Sequence, residues 1–257
     1  ADEDCYVAMC YQIASTDSTA EIYGLPYTQN DVSGYLTASM FTDIAVCGDS
    51  YTAGSIFDNN GFIGDFEKCS WGKVMERISG SSVSVYASRG ADTNTWQSRG
   101  ICLPKLLEDD PHQVYMLCLG INDKQYVSLG TIDDITSYES YTEYPNTYYG
   151  NYGKIIEQIQ EHAPNAKIIM CKLFTVVFEN GSYYWAAEAN EEIAEHYGIP
   201  CIDTADSDFL KSNMYELNMI GGHPTAPLYS GMGKAMYALF SKCIEDHIKY
   251  FEDFYIS

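Results

Sequence analysis

The chain has 257 residues, enough for one α/β domain with a sizeable core, and no Pro/Gly/Ser-rich linker divides it. With 36 acidic against 14 basic side chains, its formal net charge of −22 argues against nucleic acid, anionic membranes and strongly anionic polymers as partners. No apolar run approaches the ~18 residues of a membrane span, and the nine cysteines include no Cys-x-x-Cys of metal-ligand spacing.

Residues 1–40 are polar and rich in Tyr and Thr with little periodicity, and read as an N-terminal extension packed on a domain of residues 41–257. A strand is predicted over 43–47, ending abruptly in Gly48-Asp49-Ser50. A helix follows at Trp71–Ile78, then a strand at 83–87, a helix within 92–108 and a central strand at 114–119. From Lys124 to Pro145 runs an irregular polar and aromatic insertion, placed to overhang the end of that strand. Tyr152, Ile155, Ile156 and Ile159 keep the i, i+3, i+4, i+7 spacing of an amphipathic helix that Pro164 stops. A strand at 167–171 leads to Glu179-Asn-Gly-Ser182, which reads equally as a hairpin turn or as a loop whose Ser182 caps the helix running through Tyr197. The last strand is placed at 198–203, and Met232, Met236, Leu239, Phe240, Cys243 and Ile244 give the closing helix its inward face. Strands alternating with helices imply a three-layer α/β/α sandwich around a mostly parallel five-stranded sheet.

Cys47, Cys118, Cys171 and Cys201 fall inside apolar runs, where a thiol serves as a small hydrophobe. Cys5 and Cys10 could pair, but no disulfide framework is expected, and a reducing or anaerobic setting fits best. The chain opens Ala-Asp-Glu-Asp without a basic n-region, an h-region or a Met, so removal of an upstream leader is one expectation. The protein would then be secreted, cell-surface or virion-associated, and otherwise cytoplasmic.

A serine at the C-terminal end of a buried strand sits where open α/β sheets place their chemistry. Gly-Asp-Ser alone is more often an ordinary turn or helix cap, and Asp49 reads as fixing that turn through backbone amides. Further candidates stand at other strand ends. Ser88-Arg-Gly90 follows the strand at 83–87, and Gly120-Ile-Asn122-Asp123 closes the central strand. Of the five histidines, His162 and His196 end helices, His112 precedes a strand and His247 lies on the last helix. Only His223, in Gly221-Gly-His-Pro-Thr225, sits in a Gly/Pro loop suited to a fixed yet reachable imidazole.

Ser, Gly, Asn and His in this order resemble the SGNH (GDSL) hydrolase family over roughly residues 43–245. Ser70-Trp-Gly72, Asn151-Tyr-Gly153 and His223-Pro-Thr-Ala226 are similar to SGNH-type proteins of gut bacteria and their phages. The resemblance implies Ser50 as nucleophile and His223 as general base. It also implies an oxyanion hole of the Ser50 and Gly90 amides with the Asn122 side chain, and needs no cofactor and no metal. The family's Asp three residues before the histidine is replaced here by Ile220. A backbone carbonyl of the 218–221 loop is expected to orient the imidazole, ahead of Asp203, Asp206 or Asp208. Weaker support of the imidazolium is expected to shift activity toward higher pH. The resulting expectation is a serine esterase acting on a short acyl group linked to a carbohydrate, through an acyl-enzyme. The alternatives are a lipase or thioesterase, or a catalytically silent glycan-binding module of a phage or cell surface. The 23 tyrosines and three tryptophans suit sugar stacking and core filling alike.

Overall fold

Five parallel strands set the architecture: β1 (Asp43–Gly48), β4 (Ser82–Ala87), β5 (Val114–Cys118), β6 (Lys167–Lys172) and β9 (Cys201–Asp203). The computed structural model describes residues 37–175, 182–183, 185–212 and 218–254. The spatial order is β4-β1-β5-β6-β9, with β1 and β5 buried along nearly their whole length. Continuous apolar runs rather than alternation are what a parallel sheet covered on both faces requires.

On one face, α3 (Thr93–Trp96), α4 (Leu103–Glu108), α7 (Tyr148–His162) and α8 (Ala187–Tyr197) bury Trp96, Leu106, Tyr152, Ile156 and Ile193. On the other, α2 (Trp71–Ser79), α9 (Ala226–Asp246) and α10 (Ile248–Phe251) bury Trp71, Met75, Met236, Phe240 and Phe251. The three-layer sandwich is thus formed as its sequence pattern implied. The helix expected within 92–108 is two short helices, α3 and α4, joined by turns. The expected irregular insertion holds two further single-turn helices, α5 (Asp123–Tyr126) and α6 (Asp133–Thr136).

Three small antiparallel pairs decorate the C-terminal ends of the strands. They are β2 (Ser55–Asp58) with β3 (Gly61–Asp65), β7 (Phe174–Thr175) with β8 (Ser182–Tyr183), and β10 (Met219–Ile220) with β11 (His223–Pro224). The β7–β8 pairing favours the hairpin reading around Ser182, because α8 starts later and its N-cap is Ala186. Of the expected N-terminal extension only residues 37–40 are described, and Cys5 and Cys10 lie outside the described residues. The seven described cysteines are free thiols, five of them buried, including Cys47, Cys118 and Cys171. Among the described residues no helix is long and apolar enough to cross a membrane.

Candidate active site

The end of β1 turns directly into the single-turn helix α1 (Ser50–Ala53). Asp49 is its N-cap, and its carboxylate accepts a hydrogen bond from the Tyr51 amide at 3.0 Å, as expected of a turn-fixing residue. Gly48 is needed for space: a Cβ there would collide with the side chain of Thr52, one turn into α1. Thr52 is itself held by the indole of Trp71, whose Nε1 donates to its Oγ1 at 3.4 Å. The nucleophile candidate therefore sits on a turn packed from below, with Ser50 only 4 % exposed.

His223 reaches Ser50 from a hairpin of minimal size. Ile220 pairs with His223 across β10–β11, and the two residues between them, Gly221 and Gly222, have φ of 58° and 72°. Two successive left-handed residues are the signature of a type I′ turn, which a Gly-Gly pair adopts without strain. The hairpin brings His223 Nε2 to 2.9 Å from Ser50 Oγ and Nδ1 to 3.0 Å from the Gly221 carbonyl oxygen. A carbonyl can only accept, so Nδ1 carries the proton and Nε2 faces the serine hydroxyl unprotonated.

None of the carboxylates considered as alternatives hydrogen-bonds to the imidazole. Asp203 caps the Ala205 amide at 2.8 Å and lies 3.4 Å from Lys172 Nζ. Asp208 lies 3.9 Å from Lys211 Nζ, and Asp206 is exposed at the end of a single 3₁₀ turn. None of the three touches His223. Burial lowers the His223 pKa below the ordinary imidazole value, Arg89 adds to this, and the Gly221 carbonyl and Asp65 oppose it. The expected shift toward higher pH is therefore wrong in sign: weaker support of the imidazolium and burial both lower the pKa, which keeps the ring neutral and basic to lower pH.

Gly90 follows β4 with φ of 70°, and its loop is tied down by Arg99, which donates to Ser88 Oγ and to the carbonyls of Arg89 and Gly90. Asn122 does not cap α5 through its side chain. Its Nδ2 donates instead to the Ala91 carbonyl at 2.9 Å, leaving its second N–H for another acceptor. Neither the Ser50 nor the Gly90 amide is taken up by a hydrogen bond among the described residues. Next to Asn122, the fully buried Asp123 accepts from both the amide and the hydroxyl of Thr93, at 3.0 and 2.5 Å. The loops after β4 and β5 are thus cross-tied twice, which fixes Gly90 relative to Asn122.

Sequence reasoning did not single out Asp123 in this tying role, nor Arg99, Tyr51 or Phe57. Tyr51 donates its hydroxyl to the Gly222 carbonyl at 2.6 Å and meets the His223 ring edge-on, centroids 5.4 Å apart. Phe57, on β2, stacks on the imidazole with centroids 4.1 Å apart and planes within 21°. The missed signal was Asn59-Asn60-Gly61 between two short apolar pieces, a turn that makes β2 and β3 a hairpin. His112, by contrast, is a core residue, its ring nitrogens 2.7 Å from Asp43 Oδ2 and from Tyr86 Oη.

Beside the nucleophile turn lies a largely apolar cavity of about 60 Å³, lined by Asp49, Thr52, Trp71, Cys118, Ile121 and Met232 among others. Burial pushes the Asp49 carboxyl up to about 7, and that of Asp123 up to about 6. Each keeps one oxygen, Oδ2, without a partner among the described residues. Among the described residues there is no group of three or more His, Cys, Asp or Glu arranged to hold a metal ion.

The GDSL-like lipase/acylhydrolase family model matches residues 46–230, a span holding Ser50, Gly90, Asn122 and His223. The chain belongs to that family. It is accordingly an SGNH-type ester hydrolase. No curated protein matches this GDSL-family chain in sequence. Among solved structures, a possible lipase from Chitinophaga pinensis superimposes with a TM-score of 0.53 at 17 % identity, over 77 % of this chain and 97 % of its own. A carbohydrate esterase family 2 enzyme plus carbohydrate-binding domain from Corynascus thermopiles gives 0.53 at 16 % identity, over 78 % and 66 %. An active-site mutant of a family two carbohydrate esterase from Clostridium thermocellum gives 0.54 at 15 % identity, over 80 % and 64 %. At such identities these likenesses establish the fold.

Proposed function

We propose that this GDSL-family chain hydrolyses a short-chain carboxylic ester of a carbohydrate through a Ser50–His223 dyad. The observation that carries the reading is the hydrogen-bonded line from Ser50 Oγ through both imidazole nitrogens to the Gly221 carbonyl. An alcohol is a poor nucleophile at neutral pH and needs an adjacent base, and Nε2 stands where the proton must go. As Oγ bonds to the ester carbonyl carbon, its proton passes to Nε2. The carbonyl oxygen, now an anion, meets the Ser50 and Gly90 amides and the Asn122 amide group. Collapse breaks the bond to the alcohol, which leaves with the proton from Nε2. A water then gives its proton to the same nitrogen and attacks the acyl-enzyme, releasing the acid and restoring Ser50.

The short acyl group is supported by the small, largely apolar cavity of about 60 Å³ lined by Asp49, Tyr51 and Thr52, the residues on either side of Ser50. The carbohydrate alcohol is supported by the likeness to two structures named as carbohydrate esterases. The test is hydrolysis of nitrophenyl esters of increasing acyl length beside a panel of acetylated sugars. Turnover of acetyl esters that Ser50→Ala lowers by several orders of magnitude, without loss of folding, is expected. A preference for long acyl chains would make the chain a lipase, and no turnover of any ester would favour a silent glycan binder.

A further inference from the structure

In a dyad, something other than a carboxylate must hold the imidazole in its productive orientation. The Gly221 carbonyl fixes the tautomer with a single hydrogen bond, but rotation of the ring about that bond is left to its packing. One face of the ring is covered by Phe57, nearly parallel at 4.1 Å, while Tyr51 meets the ring edge-on, with its plane turned by 83°. Phe57 also packs beside the residue that supplies the acceptor, since a Cβ on Gly221 would lie 3.3 Å from the Phe57 side chain. The same aromatic side chain therefore bears on both the base and the peptide that orients it. Phe57 in turn contacts Phe62 across the hairpin at 5.4 Å, and Phe62 carries the Arg89 guanidinium 4.3 Å over its ring.

We infer that Phe57 is a positioning residue for His223, taking over part of the orienting role that a carboxylate on the missing Asp position would have. The inference rests on the dyad reading above. Face-on packing restricts the ring to the plane that contains both Ser50 Oγ and the Gly221 carbonyl. A half-buried phenylalanine against a catalytic imidazole further excludes water, which is the direction in which burial already moves the ring. The charged groups acting on the ring are Arg89, from the loop after β4, and Asp65, from β3. Neither is substituted in the variants below.

The experiment is steady-state hydrolysis of nitrophenyl acetate between pH 5 and 9 by wild type, Phe57→Ala, Phe57→Leu and Phe57→Tyr, with the Tm of each. Phe57→Ala is expected to lower kcat by about 10- to 100-fold with KM within about threefold, the cost of a loosely held base. Its kcat/KM acid limb should move up toward the ordinary imidazole value as water reaches the ring face. Phe57→Tyr, which keeps the aromatic face, should return both kcat and the acid limb to near wild type. If Phe57→Ala does not fold, Phe57→Leu carries the same comparison on kcat. Wild-type kcat and acid limb in the truncated variants, or a Phe57→Tyr as impaired as Phe57→Ala, would overturn the positioning role alone. A wild type inactive on every ester would instead remove the dyad reading, and this role with it.

Discussion

Ile220 and His223 stand directly opposite each other across the β10–β11 pair, closed by the Gly221-Gly222 turn. Cross-strand partners have Cβ atoms roughly 5 Å apart on one face. A carboxylate at position 220 would thus lie beside the imidazole, while the Gly221 carbonyl already occupies Nδ1.

Ile220→Asp therefore tests whether the dyad gains from an added charge. A nearby anion favours the imidazolium, so the His223 pKa should rise and the acid limb of kcat/KM should move to higher pH. The plateau rate should change by less than about tenfold, because the orienting bond at Nδ1 is already made. A pH–rate profile of the variant beside wild type measures both. An unmoved acid limb would mean that the carboxylate does not reach the ring.

Asn122 serves two acceptors if it belongs to the oxyanion site, one of them the Ala91 carbonyl seen at 2.9 Å. Asn122→Ala should lower kcat by about 10²- to 10³-fold with little change in KM, the usual effect of deleting one oxyanion donor. It should also cost about 1–3 kcal/mol of stability if the Ala91 carbonyl is left without a donor. Kinetics together with thermal melts separate the two. A loss of stability with unchanged kcat would leave Asn122 a tie between the loops after β4 and β5 and nothing more.

Much of this site could be read from the chain because its parts stand at the ends of apolar runs. The apolar runs of β1 and β5 form strands buried on both faces, and the polar residues just past them have little choice but to line the sheet's C-terminal edge. The replacement of the family's acid was visible as Ile220, and the structure supplies a carbonyl from the expected loop. The surroundings of the imidazole were not legible, because they depend on contacts distant in sequence. Tyr51 and Gly222 lie 171 positions apart yet share a hydrogen bond. The β2–β3 hairpin that brings Phe57 to His223 has strands of only four and five residues, too short for alternation to be decisive. Its turn signal at Asn59-Asn60-Gly61 carried no information about what the hairpin would cover. The direction of the His223 pKa shift depends on burial, which charge pattern alone does not reveal.

Asp49 gives a prediction about stability rather than catalysis. Its carboxyl is buried, keeps Oδ2 without a partner among the described residues, and is pushed up from 3.8 to about 7, chiefly by burial. A native pKa above the unfolded one means that the folded chain holds a proton the unfolded chain releases. Stability from this group is therefore full below about pH 4, and is lost as pH rises from there through about 7. Asparagine accepts the Tyr51 amide as well as aspartate does and never ionises, so Asp49→Asn should keep the cap and remove the penalty. The difference in Tm, variant minus wild type, should be small near pH 4, grow in the variant's favour up to about pH 7, and level off above. Melts at several pH values in one buffer series test this, since titrating groups that do not interact with Asp49 cancel in the difference, and Asp123, which does, only adds to the trend between about pH 4 and 7. A pH-independent difference would mean that Asp49 ionises as an ordinary carboxylate, with water reaching Oδ2 through the cavity it lines.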